Sequence, residues 1–123
     1  DFITTGSYGS GTTSKGTVDI LQDLHGDISG CDILLVEDIF DSGRTLQHLS
    51  NVLSKRNPAS ITLCTLLDKP DRRDKSVKIQ PKYIGAKVAD QFVVGYGLDF
   101  NQKYRNLPFI GILKPEIYET ATK

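Results

Sequence analysis

The stretch Ile33-Leu34-Leu35-Val36-Glu37-Asp38-Ile39-Phe40-Asp41-Ser42-Gly43-Arg44-Thr45 restricts the fold of this chain more than any other. An apolar run leads into Glu37 and Asp38; Asp41, Ser42, Gly43 and Thr45 follow, after which apolar residues recur at helical spacing. A short unbroken apolar run bounded by turn residues predicts a strand buried on both faces, as in a parallel sheet. The acids then sit at the carboxyl end of a central strand, where open α/β sheets bind ligands. The turn from Asp41 to Thr45 offers backbone N–H groups, hydroxyls and a helix N-terminus, which together suit a phosphate dianion. Glu37 and Asp38 repel an anion and suit sugar hydroxyls or a divalent cation. Taken singly, Asp38 or Asp41 is an N-cap and Gly43 a turn residue; taken as one string, they match a sugar phosphate.

The flanking segments complete an α/β unit. Leu46, Leu49, Val52 and Leu53 fall on one face of a helix predicted over Thr45 to Arg56, and Asn57-Pro58 stops it. Ser60 to Leu67 is a second apolar strand ending in Asp68-Lys69-Pro70. Strand, crossover helix and strand make a βαβ unit with parallel strands, which sets Lys69 on the same rim as Asp41. The charged run Lys69 to Lys75 reads as a solvated loop. Upstream, Phe2 to Thr5 is a strand tail, Gly6 to Gly16 a glycine-rich mobile loop, and Thr17 to Leu21 a strand returning from it. Downstream, Tyr83 to Ala86, Gln91 to Asp99 and Phe109 to Leu113 are further strand candidates, and Lys114 to Tyr118 a final helical turn with Pro at its start.

Composition narrows the possibilities. At 123 residues the chain makes a single domain, residues 1–123. Lysine plus arginine equals aspartate plus glutamate, at 15 each, so no global field draws nucleic acid or an anionic membrane. No apolar run approaches the about 18 residues of a membrane span. Cys31 and Cys64 have no metal-ligand spacing, and a cytoplasmic protein with reduced thiols is the expectation. The chain starts at Asp1 and contains no methionine, which predicts a piece of a longer protein.

The string from Ile33 to Thr45 resembles the phosphoribosyl-pyrophosphate (PRPP) motif of the type I phosphoribosyltransferases, and Asp at position 41 is similar to the 6-oxopurine branch, the hypoxanthine-guanine phosphoribosyltransferases. The resemblance implies the type I α/β fold, a mainly parallel central sheet flanked by helices, with a flexible lid. Ser7-Tyr8-Gly9-Ser10-Gly11-Thr12, followed by Ser14-Lys15-Gly16-Thr17-Val18, is similar to that lid, with Ser7 and Tyr8 as its closing pair. It implies one more strand and a Leu-Lys-Gly or similar loop upstream, so the chain is expected to lack the N-terminal part of the family.

Residue by residue, the resemblance assigns Glu37 and Asp38 to the ribose hydroxyls, Asp41 to catalysis at N7 of the purine, and Ser42, Gly43, Arg44 and Thr45 to the 5′-phosphate. Lys69 would donate to the purine O6, Phe92 would stack on the base, and the Val93 backbone would read its edge. Asp99, with Glu37 and Asp38, would hold Mg2+, and Arg105 would meet pyrophosphate. The implied reaction is transfer of the 5-phosphoribosyl group from PRPP to hypoxanthine or guanine, giving IMP or GMP and pyrophosphate, in a homo-oligomer (dimer or tetramer). Two other readings remain open: an inactive fragment or oligomerisation module, and a PRPP-sensing regulator of the same fold.

Overall fold

The computed structural model describes residues 1–6 and 18–119, which form two compact units, Asp1–Lys87 and Val88 onward. In the first, β1 (Thr4–Gly6) and β2 (Asp19–Gln22) pair as an antiparallel hairpin. β3 (Asp32–Phe40), α1 (Arg44–Ser54) and β4 (Ser60–Asp68) then build the expected βαβ unit, with β3 and β4 parallel from Asp32 opposite Ser60 to Phe40 opposite Asp68. β5 (Pro81–Lys87) adds a third parallel strand, so the order is β3-β4-β5 and β3 lies at one edge.

The helix forms where its periodicity places it. Leu46, Leu49 and Leu53 are buried on its inner face, and each such side chain contributes about 1.5–3 kcal/mol when fully withdrawn from water. Leu49 and Leu53 pack with Ile28, against Ile33, Leu35 and Ile61 of the sheet and Ile3 and Leu24 before it. Leu46 packs with Phe40, Leu63 and Val77 at the carboxyl end of the strands. Phe40 has no exposed surface, so the last residue of β3 is an anchor and the turn after it starts from a fixed point.

One expectation fails here. The apolar run in β3 is not buried on both faces: exposure alternates along it, with Leu34 at 56% and Val36 at 67%. β3 is an edge strand with α1 against one face only, so the side chains of alternate residues remain open.

The second unit holds β6 (Val93–Val94) and β7 (Gly111–Ile112), antiparallel, and the short helix α2 (Pro115–Glu119). The strand expected over Gln91–Asp99 is cut to two residues. Gly95, Tyr96 and Gly97 all adopt positive φ, which turns the chain out of the sheet. The strand expected over Phe109–Leu113 shrinks likewise. No helix among the described residues is long and apolar enough to cross a membrane.

Candidate active site

Three residues separate β3 from α1, and their geometry follows from Gly43. It occupies the N-cap of α1 with φ 80°, a left-handed conformation that costs an L side chain about 1–2 kcal/mol. No side chain caps the helix, and no acid lies in its first turn. The N–H groups at this end therefore point outward with the positive end of the helix dipole behind them.

Beside this end lies a cavity of about 280 Å³, lined by Thr5, Glu37, Asp38, Ile39, Phe40, Asp41, Ser42, Gly43, Thr45 and Leu46. The two acids of the strand, the acid of the turn and Ser42, Gly43 and Thr45 thus share one hollow. The Glu37 carboxylate accepts the Asp38 N–H at 3.3 Å, and Asp38 accepts the Ile39 N–H at 2.7 Å. Burial of Glu37, reinforced by the neighbouring Asp38 carboxylate, pushes its carboxyl up to about 7. Near neutral pH the pair therefore carries less than two full charges, and a cation or a hydroxyl donor would complete its ionisation.

The Arg44 side chain does not line this cavity. Its guanidinium turns away from the cavity to Asp74, with Nε at 2.6 Å and Nη2 at 2.5 Å from the same carboxylate oxygen. It lines a separate groove with Gln47, His48, Asn51, Asp74, Ser76 and Val77. The Ser76 hydroxyl and N–H, with Arg44, hold the Asp74 carboxyl down to about 2, so this pair is ionic at any physiological pH. Arg44 thus has only its backbone N–H to offer a phosphate.

Lys69 follows β4 on the same rim. Its N–H donates to the Phe40 carbonyl at 2.9 Å, and the residue is 7% exposed. No carboxylate among the described residues forms an ion pair with it. The stem of Lys69 is thus packed away while its ammonium keeps three N–H donors for an acceptor on this rim.

The charged loop after Lys69 is only in part the solvated surface expected of it: Asp71, Arg72 and Lys75 are exposed, whereas Arg73 and Asp74 are partly buried. Arg73 and Asp68 form a largely buried pair. Arg73 Nη1 also donates to the Asp41 carbonyl at 3.2 Å, and Arg72 Nε lies 3.4 Å from the Asp41 carboxylate. Charge pattern alone could not reveal this, because whether such charges face water or each other depends on contacts with β3, about thirty residues away.

In the second unit, Phe92 is 39% exposed, stacks on Tyr118 at 5.6 Å and meets Phe100 edge-on at 5.5 Å. Val93 is buried and pairs with Ile112. Asp99 and Arg105 are brought together at 3.2 Å; Asp99 also accepts the Gln102 N–H, and Arg105 donates to the Gly97 carbonyl at 2.9 Å. Tyr96, Asn101, Gln102 and Tyr104 all have positive φ, so the segment carrying these two residues is strained, as backbone at functional sites often is. Ser7 and Tyr8 lie outside the described residues.

Comparison with known proteins places this geometry in a family. The family described as phosphoribosyl transferase domain matches residues 1–101. The hypoxanthine phosphoribosyltransferase of Escherichia coli K12 is 53% identical over 111 residues, 90% of this chain and 61% of that protein. The hypoxanthine-guanine phosphoribosyltransferase of Staphylococcus aureus Mu50 is 49% identical over 118 residues, 96% of this chain and 65% of that protein. The bifunctional TilS/HprT protein of Listeria monocytogenes is 53% identical over 118 residues, but the chain spans only 18% of its length. A crystal structure of a Staphylococcus aureus hypoxanthine phosphoribosyltransferase superposes with a TM-score of 0.87 at 49% identity, over 96% of this chain and 63% of that one. The chain therefore spans under two thirds of the length of each of these relatives, and within that span it belongs to the phosphoribosyl transferase domain family with its type I α/β fold.

Proposed function

We propose that this chain transfers the 5-phosphoribosyl group from PRPP to N9 of hypoxanthine or guanine, forming IMP or GMP and releasing pyrophosphate. The observation that carries the reading is the single cavity uniting Glu37, Asp38, Asp41, Ser42, Gly43 and Thr45 at an uncapped helix N-terminus. The names of the relatives, hypoxanthine and hypoxanthine-guanine phosphoribosyltransferase, support it.

In this reading the amides that open α1 and the hydroxyls of Ser42 and Thr45 grip the 5′-phosphate, while Glu37 and Asp38 accept hydrogen bonds from the ribose hydroxyls. Both ends of the sugar are then fixed, which aligns C1′ for attack. Asp41 accepts the proton at N7 of the purine, raising the electron density at N9. Lys69 donates to O6; it selects a 6-oxo over a 6-amino purine because two donors would otherwise oppose each other. Phe92 offers a half-exposed ring for stacking and the Val93 backbone reads the base edge. Arg105 meets the departing pyrophosphate.

Mg2+ suits this donor set. Among the described residues no group of three or more His, Cys, Asp or Glu is disposed to hold an ion. Mg2+, however, commonly takes one or two carboxylates together with substrate phosphates, and Glu37 and Asp38 supply hard oxygen donors on one cavity wall. When bound, the ion offsets charge on the pyrophosphate. The free thiols of Cys31 and Cys64 support a cytoplasmic setting, and the open apolar residues Leu34 and Val36 support a homo-oligomer, dimer or tetramer.

A coupled assay following IMP formation from hypoxanthine, PRPP and Mg2+ tests the proposal. Nucleotide formation that is lost in Asp41→Asn is the expected result. PRPP binding without turnover would favour a sensing module, and absence of both would overturn the reading.

A further inference from the structure

We propose that Arg73 is a positioning residue: it locks the 41–45 loop to the segment that carries Lys69, so that the phosphate-gripping and base-reading parts of the site form one body. The identity of the ligands rests on the function proposed above; the coupling of the two segments rests on geometry alone.

The Arg73 guanidinium makes three contacts, two of them with the buried residues Asp68 and Phe40. One arm pairs with the Asp68 carboxylate at the end of β4, where both side chains are largely buried, at 14% and 7% exposure. The other donates to the Asp41 carbonyl at 3.2 Å. Its Cζ lies 3.3 Å from the centroid of the Phe40 ring, which is fully buried. The planar fork of arginine can satisfy two acceptors and a π face at once, which one ammonium cannot.

Neighbouring residues repeat the pattern. Arg72 reaches the Asp41 carboxylate, the Asp74 N–H donates to the Ser42 carbonyl at 3.0 Å, and the Asp74 carboxylate pairs with Arg44. Three consecutive residues therefore hold three residues of the phosphate loop, while the Lys69 N–H holds Phe40 immediately before it. Of these ties only that of Arg73 joins the strand end, the turn backbone and the aromatic anchor together. Loss of its fork frees the Asp41 carbonyl and leaves Asp68 as a buried charge without its partner.

The test compares the wild-type chain with Arg73→Gln, Arg73→Lys and the control Arg56→Gln, which breaks the exposed pair with Asp23. Hydrogen exchange is read at the amides of 41–47, and IMP affinity by titration. Both Arg73 variants should speed exchange in 41–47 about tenfold more than in β5 and the C-terminal half of α1, and weaken IMP about tenfold, with the control matching wild type. Rescue by lysine, or a uniform rise in exchange throughout the chain, overturns the proposal, as does wild-type IMP affinity in Arg73→Gln. If the wild-type chain binds no IMP but Arg73→Gln still loosens 41–47 selectively, the positioning role stands and the proposed function fails. Should Arg73→Gln not fold, Asp68→Ala removes the acceptor of the same tie and must show the same selective loosening.

Discussion

Replacing Gly43 by alanine should be one of the most damaging single-methyl changes in the chain. Two costs combine there. Alanine in the left-handed region costs about 1–2 kcal/mol. Its Cβ would also lie 2.6 Å from Phe40 Cε2 and 3.0 Å from Val77 Cγ1. Phe40 cannot give way, because it is fully buried and the Arg73 guanidinium lies 3.3 Å from its centroid. Overpacking of this kind costs about 1–3 kcal/mol, so the total is about 2–5 kcal/mol, and at about 4 °C per kcal/mol the midpoint of thermal unfolding should fall by about 8–20 °C. Gly30 supplies the control: its φ is 72°, but a Cβ there meets nothing within 4 Å. Gly30→Ala should incur only the conformational cost, about 4–8 °C. Thermal unfolding by circular dichroism measures both, and PRPP titration below both midpoints should show weakened binding for Gly43→Ala alone. An equal or smaller shift at Gly43 than at Gly30 would refute the claim that the turn is moulded around Phe40.

Three further outcomes follow from the site. The folded chain keeps the Glu37 proton up to about pH 7, whereas the unfolded chain loses it near 4.5; stability should therefore decline as pH rises between these values. PRPP affinity with Mg2+ should improve over the same range, by up to about tenfold per pH unit, and pH titrations of Glu37→Gln should lack this contribution to both trends. Lys69→Ala should lose about 10–100-fold of the preference for hypoxanthine over adenine, since a donor to a buried acceptor contributes about 1.5–3 kcal/mol; equal discrimination before and after would remove Lys69 from base selection. Asp41→Asn should lower turnover by about 100-fold or more while changing PRPP affinity little, as expected for a group acting on the purine; unchanged turnover in steady-state kinetics would exclude that role.

How far the sequence predicts this structure depends on the range of the interactions involved. The order β3, turn, α1, β4 was legible because each part is local: an apolar run, a glycine requiring positive φ, and leucines at helical spacing. Alternation along β3 was not, because an apolar sequence does not state how many faces its neighbours cover, and Leu34 and Val36 stay open. The turn after Val94 is hidden in the sequence as well, since Tyr96 adopts a positive φ that its residue type disfavours. The grouping of Glu37, Asp38, Asp41, Ser42, Gly43 and Thr45 followed from their adjacency in the chain. The hold of Arg72, Arg73 and Asp74 on that loop did not, since it is tertiary and looks in sequence like any charged surface run. The outward turn of Arg44 was hidden likewise, because its partner Asp74 is thirty residues away.

Titration of the isotopically labelled chain with IMP, followed at the backbone amides, tests the central claim most directly. Saturable shifts should centre on Ser42 to Leu46, beside the cavity of the acidic pair, and leave His48, Asn51 and Ser76 of the neighbouring groove unaffected. Absence of a saturable shift, or shifts centred on that groove, would contradict the claim that this turn holds a phosphorylated ribose.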